Sequence, residues 1–275
     1  MLKISVLDKI SNPEILWSRP LNTQQKKGSI FVLGGEKDFP NVLSFLNIFY
    51  YFNLQSVCLG FPDKLIKFYQ DILPEDFRLP LTSTASKTLE FNNIEKISAT
   101  LNQYDLMILG VGLSENAQTK ALIDRLILSK IPTIFAEDKI VDNLEKFNAR
   151  KSSSLFFLSL QKAASLSGES PQNLQNSPLS LQKITQKLPE NSFLAVYFKP
   201  EQKLIMADQT DLFIINQISI SQPMLLAFLA AFWSINIKKP KESFLTAAMV
   251  AKIFGQNYHH PKDIQSAITK AESLI

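Results

Sequence analysis

Cysteine is almost missing from this chain: Cys58 is the only one among 275 residues. No disulfide can form within the chain, and the apolar surroundings of Cys58 in SVCLGF make it a buried, inert thiol. Histidine is equally scarce. His259 and His260 are the only two and are adjacent, so on a helix they would point apart, which argues against a metal site built on them. No Ser/His/Asp set, Walker motif or zinc-ligand spacing occurs, and no metal is expected. The eight glycines are few for a fold that holds phosphate through its backbone. A long hydrophobic run is missing too. The longest, Met224 to Ile235, falls short of the about 20 apolar residues that a membrane-crossing helix needs. The opening MLKISVLDKISNPE lacks an apolar stretch with a cleavage site, so no signal peptide is read. The formal charge is +4 with scattered lysines, not the concentrated basic face that nucleic acid requires. These absences together lead to the expectation of a cytoplasmic protein with no nucleic-acid partner and no membrane.

What is present is a globular composition, with 45% hydrophobic and 20% charged residues. Its length can bury a sizeable core, and one domain over residues 1–275 is expected. The twenty phenylalanines have two readings, core filling or an apolar subunit interface. The chain is organised around Ile218 to Ile237, ISISQPMLLAFLAAFWSINI. Between Met224 and Ile235 only Ser234 is polar, so a helix here is apolar on every face and belongs in the core. Pro223 suits its first turn, and Ser221 with Gln222 lies at the cap. A helix start offers free N–H groups and a positive dipole end, a natural anion site. Here the approach has no glycine and no acid, and a proline removes one N–H.

Ahead of that helix, strands alternate with helices. Residues 1–28 read as an arm with little regular structure. Ser29 to Leu33 reads as a buried strand closed by Gly34-Gly35, and Asp38 with Pro40 marks the start of a helix over Asn41 to Asn53. A strand from Gln55 to Gly60 and a helix opened by Pro62 follow. Residues 74–92 are polar and turn-rich. Tyr104 to Leu109 is a strand ending at Gly110-Val111-Gly112, followed by a helix over 114–129. Pro132 to Ala136 is a strand running into Glu137-Asp138. Leu155 to Leu158 is a strand, Gln161 to Leu166 a helix, and 168–178 a surface loop. Three close strands near 192–215 read as hairpins at one sheet edge. The expected architecture is a three-layer αβα domain with eight or nine strands, mostly parallel, with an antiparallel edge.

Three features are candidate chemistry. Gly34-Gly35 could cradle a ligand, or simply make a strand–helix turn. Gly110-Val111-Gly112 has the same context but no third glycine at the dinucleotide spacing. Glu137-Asp138 could act as acids or metal ligands, with helix capping as the plainer role.

RPLNTQQKKGSIFVLGGEKDF resembles the opening of the ADP/ATP-dependent NAD(P)H-hydrate dehydratases, in which a Lys-Gly pair precedes a strand ending in Gly-Gly. YDLMILGVGLSENAQTKALIDRL resembles their strand, Gly-Pro-Gly turn and helix, with Val111 for the proline. KIPTIFAEDKI resembles the strand ending in Asp-Ala-Asp, and LLAFLAAFWSI their apolar helix. The series is collinear over nearly the whole chain. It implies a ribokinase-like fold, ATP or ADP and hydrated NAD(P)H as ligands, lyase chemistry, and a homo-oligomer, commonly a tetramer. It places Gly34, Gly35, Gly110, Gly112, Asp138, Lys199 and Ser221 at the ligand site.

The departures fall on the chemistry. Where the family has Gly-Ser-Gly-Asp, with the glycines as anion hole and the aspartate as base, this chain has Ile220, Ser221, Gln222 and Pro223. Ala136-Glu137-Asp138 keeps one of the two acids. Phe157 to Lys162 (FLSLQK) retains nothing of Thr-Pro-His-Pro-Gly-Glu, the Gly-Ala before the first long helix is Pro40-Asn41, and the Lys-Gly of the nucleotide site is Lys199-Pro200. No catalytic residue is assigned. Two functional readings follow: a homologue without catalysis that has a binding or structural role, with a protein partner as one form of it, or a working nucleotide-dependent dehydratase or small-molecule kinase. In the second, Asp138 or Glu137 would be the acid and Lys199 the phosphate contact. A third reading is an α/β domain alike in structure only.

Overall fold

The computed structural model describes residues 3–18, 27–37 and 39–275. The polar stretch just before Lys27, and Asp38 with its expected role at a helix start, lie outside the described residues. Ten strands form one sheet: β1 (Lys3–Val6), β2 (Lys27–Gly34), β3 (Leu54–Pro62), β4 (Arg78–Leu81), β5 (Leu106–Val111), β6 (Thr133–Phe135), β7 (Ser154–Leu158), β8 (Ser192–Phe198), β9 (Lys203–Ala207) and β10 (Asp211–Ile215). The helices are α1 (Pro13–Trp17), α2 (Phe39–Tyr51), α3 (Ile66–Tyr69), α4 (Ile94–Leu101), α5 (Ala117–Leu126), α6 (Leu160–Ser167), α7 (Pro171–Asn176), α8 (Gln182–Thr185), α9 (Gln222–Ile235), α10 (Pro240–Asn257) and α11 (Ile264–Glu272).

The sheet order is β1-β10-β9-β8-β7-β6-β5-β2-β3-β4. Strands β2 to β8 pair in parallel, while β8, β9 and β10 pair antiparallel. The continuous apolar runs of β2, β5 and β7 follow from burial on both faces. Alternation sends Ile30 and Val32 into one core, and Phe31 and Leu33 into the other. The first core lies under α1, α2, α9, α10 and α11, and the second under α4 to α8. This is the expected three-layer αβα architecture with an antiparallel region. Helix α9 is the centre of its layer, with every residue from Leu225 to Ser234 buried.

Three segments differ from the expectation drawn from sequence. Residues 1–28 are not all an arm: β1 extends the sheet by pairing in parallel with β10, and Ile15 and Leu16 of α1 are buried in the core. The stretch 74–92 contributes β4, which with β1 brings the strands to ten among the described residues, and 168–178 contains α7. Most phenylalanines fill the two cores, including Phe45 and Phe49 of α2, so core filling accounts for their abundance. Tyr50 stays exposed on the outside of α2.

One feature of this topology positions the site. From β2 the chain moves outward to β3 and β4, then returns to place β5 on the other side of β2. The order reverses between β2 and β5, and the crevice at the carboxyl ends of such a pair is where open α/β sheets bind ligands.

Candidate functional site

Strand β2 ends in Gly34, glycines flank the last residue of β5 at positions 110 and 112, and the crevice between the two strands is drawn shut. A Cβ on Gly34 would stand 2.1 Å from the Val111 carbonyl oxygen, so only glycine permits this approach. The Gly35 N–H donates to that same oxygen at 2.9 Å, and the Lys37 N–H donates to Gly112 O at 2.8 Å. Between them, the Glu36 carboxylate accepts from the Ser114 N–H at 2.5 Å, the Leu89 N–H at 2.6 Å and the Thr119 hydroxyl at 2.8 Å. Glu36 therefore fastens the β2 turn to the β5–α5 loop and to the segment following β4. Charge-assisted bonds of this kind are about twice as strong as neutral ones. The buried Tyr69 hydroxyl donates to Gly35 O at 3.1 Å, and burial pushes its phenol up, so it stays a donor.

The turn after β5 is similarly constrained on its other side. Gly110 has φ +120°, and a Cβ there would lie 2.7 Å from the Cβ of Glu137 and 2.8 Å from Ile140 Cδ1. Gly112 is left-handed at φ +68°. After β6, Asp138 accepts from the Ser159 N–H at 2.9 Å and from the Ser159 hydroxyl. Ser159 Oγ in turn accepts from the Lys162 N–H at the start of α6. The retained acid thus orients a helix cap.

Helix α9 begins beside these strand ends. Ser221 is its N-cap, with Oγ accepting from the Met224 N–H at 3.3 Å, and Pro223 lies in the first turn, which holds no acid. The approach is fixed by Tyr197, whose hydroxyl lies 2.7 Å from Ile218 O and 2.9 Å from Ile220 O. Burial raises the Tyr197 phenol, which keeps it protonated for this role. Near these strand ends Val111, Ala136, Ile220 and Met224 pack against the α9-side core, and Phe157 is buried within it. Lys199 stands apart, exposed in the turn after β8.

On the opposite, α5 side of the β5 and β6 ends is a cavity of about 140 Å³. Leu113, Ile123 and Ile140 give it apolar surface, and Lys120 and Glu137 are among its charged lining residues. The structure therefore groups Gly34, Gly35, Gly110 and Gly112 at one closed crevice, sets Asp138 and Ser221 to capping, and leaves Lys199 outside. Sequence reasoning missed Glu36, Tyr197 and the cavity. A lone acid directly after a strand-closing Gly-Gly was the available signal for Glu36.

Comparison with solved structures gives three full-length likenesses. A hypothetical protein from Streptococcus mutans matches with a TM-score of 0.69 and 14% identity, covering 98% of this chain and 99% of that one. A ribokinase-like superfamily protein from Enterococcus faecalis matches with a TM-score of 0.67 and 13% identity, over 98% and 96% of the two chains. The fold is ribokinase-like. The ADP/ATP-dependent NAD(P)H-hydrate dehydratase from Bacillus subtilis, co-crystallized with ATP and Mg2+, shares this ribokinase-like fold with a TM-score of 0.66 and 12% identity, over 96% and 97% of the chains. At these identities the likeness is one of fold. No protein-family model matches the sequence, and no curated protein matches it.

Proposed function

We propose that this ribokinase-like chain is a homologue of the NAD(P)H-hydrate dehydratases without turnover, serving a binding or structural role. The observation that carries the reading is the crevice between β2 and β5, which the chain's own hydrogen bonds occupy. The start of α9 agrees with it. The Met224 N–H is taken by Ser221, Pro223 has no N–H, and no carboxylate stands in the first turn to act as base. These residues do not fit the phosphates of ATP or ADP. Loss of positioned electrostatic donors alone slows an enzyme about 100- to 1000-fold, and loss of the base comes on top of that.

The competing reading, an active dehydratase or kinase using Asp138 and Lys199, requires Asp138 to leave both of its bonds to Ser159. Self-association belongs to the proposal as well, by analogy with the dehydratases it resembles. The test is recovery of reduced-cofactor absorbance from hydrated NADH or NADPH with ATP or ADP. No nucleotide-dependent recovery is expected. Recovery at a rate comparable to an intact dehydratase would overturn the reading.

A further inference from the structure

The crevice is closed by a carboxylate, and the donors that hold this group come from three separate segments. Glu36 is half-buried just after β2. Its Oε2 accepts from the Ser114 N–H at 2.5 Å, in the loop after β5. Its Oε1 accepts from the Leu89 N–H at 2.6 Å, beyond β4, and from the Thr119 hydroxyl at 2.8 Å, in the first turn of α5. Leu89 and Thr119 are fully buried. Thr119 Oγ1 also lies 3.3 Å from Leu89 O and 3.4 Å from Ser114 Oγ, so the carboxylate is its shortest contact. Among the described residues Glu36 makes no ion pair with a lysine or arginine.

Each donor is also fixed by its own segment, independently of Glu36. Leu89 pairs antiparallel with Ser83, and the Thr84 N–H donates to Thr88 O at 2.9 Å, so a small hairpin holds the Leu89 amide. The Lys37 N–H ties down Gly112 O, two residues before Ser114. Asn116 caps α5 through the Gln118 N–H at 2.8 Å and so fixes the turn that carries Thr119. Two amides and a hydroxyl, each set beforehand, converge on both oxygens of one carboxylate. Preorganised donors of this kind bind an anion without first having to be ordered.

We propose that Leu89, Ser114 and Thr119 form a carboxylate-binding site in the crevice and that Glu36 is its built-in ligand, an autoinhibitory contact that keeps free acids out. A tethered carboxylate acts at an effective concentration that a free acid at millimolar level does not match, so the unaltered chain binds none. Both this site and the lost turnover rest on a crevice closed by the chain. Acid binding by a variant and cofactor recovery by the unaltered chain are nevertheless separate measurements, and either can fail alone. The test is unfolding of the full chain carrying Glu36→Ala in sodium formate, beside sodium chloride at equal ionic strength and formamide, which lacks the charge. Formate carries both oxygens on one carbon and is the smallest acid that spans the donors. It should bind with a Kd of about 10 mM, and at ten times that concentration raise the ratio of folded to unfolded chain about 11-fold over chloride. Amide shifts on binding should centre on Leu89 and Ser114. The unaltered chain and Glu36→Gln, whose amide still fills the site, should gain nothing over chloride. If Glu36→Ala is isolated unfolded, refolding from urea decides: a native melt regained in formate and not in chloride supports the site, and one regained in neither overturns it. A formate effect no larger than that of chloride or formamide overturns it too. So does an equal effect on the unaltered chain, or amide shifts centred elsewhere.

Discussion

Replacing Arg150 should be the most damaging single change outside the crevice. Its guanidinium is buried with no carboxylate partner among the described residues, and every donor is used. Nε donates to Ser154 Oγ at 2.7 Å; one terminal nitrogen donates to Ile127 O at 2.7 Å and Ser129 O at 2.9 Å; the other donates to Ile131 O at 2.5 Å and Thr133 Oγ1 at 2.7 Å. The group also lies 5.4 Å from the centroid of the Phe135 ring. It therefore joins the end of α5 to β6 and β7 at the amino-terminal edge of the sheet. Burial pulls its pKa down to about 10, a sign that desolvation opposes the charge and that the five bonds must offset it. Arg150→Met removes all five donors and leaves buried acceptors facing an apolar side chain. Each such acceptor costs about 1–3 kcal/mol, and water reaching the outer carbonyls recovers part of this. A net loss of about 3–5 kcal/mol is expected, in the range found on removing one partner of a buried charged network. For a chain of this size that corresponds to a fall of about 10 °C in melting temperature. Arg150→Lys keeps the charge but has three donors and no planar fork, so it should not restore wild-type stability. Thermal or urea unfolding of the three proteins decides the matter. A Met variant within about 1 kcal/mol of wild type would refute the reasoning.

Gly34→Ala places a methyl against the Val111 carbonyl and should cost about 3 kcal/mol, read as a lower melting temperature. Lys241 bonds to Asp208 at 2.9 Å and Asp211 at 2.5 Å. The Lys241 bond holds the Asp211 carboxyl below its usual value. Burial pushes Asp208 up, but Lys241 and the Thr210 and Asp211 amides outweigh this and hold it low. Depressed carboxyl pKa values contribute stability that is present above the ordinary 3.8 and lost as pH falls through the lower folded-state values. Lys241→Ala should therefore lower stability by no more than about 1 kcal/mol at neutral pH, since the group is partly exposed, and the gap should narrow in acid. Melting curves across that range check both parts. Self-association should appear as an oligomer in light scattering at micromolar concentration; a monomer would end that proposal.

The parts of the fold legible in the sequence were those where one local pattern decides the structure. Strands β2, β5 and β7 are unbroken apolar runs, and α9 is apolar around its circumference, so each announces burial without knowledge of its neighbours. Strand β1 does not. Its four residues are mostly exposed, and it exists because β10, more than 200 residues away in sequence, offers a parallel edge. The glycines of the crevice were visible as turns, but their purpose was not. Gly34 is required by the carbonyl of Val111, and that contact depends on which strand lies beside β2. Glu36 illustrates the same limit, because its three donors come from segments 53 to 83 residues away. Tyr197 was hidden within a strand whose aromatic content looked like ordinary core.

The central claim is that the chain itself fills the ligand crevice of this fold, and amide hydrogen exchange tests it most directly. The informative groups are the N–H of Gly35, Lys37, Leu89 and Ser114, each donating across the crevice. They should exchange slowly, comparably to amides in the middle of β2, and millimolar ATP or ADP should leave their rates unchanged. Fast exchange at these four positions, or protection that arises only when nucleotide is added, would show an open crevice that a ligand closes, and would contradict the account.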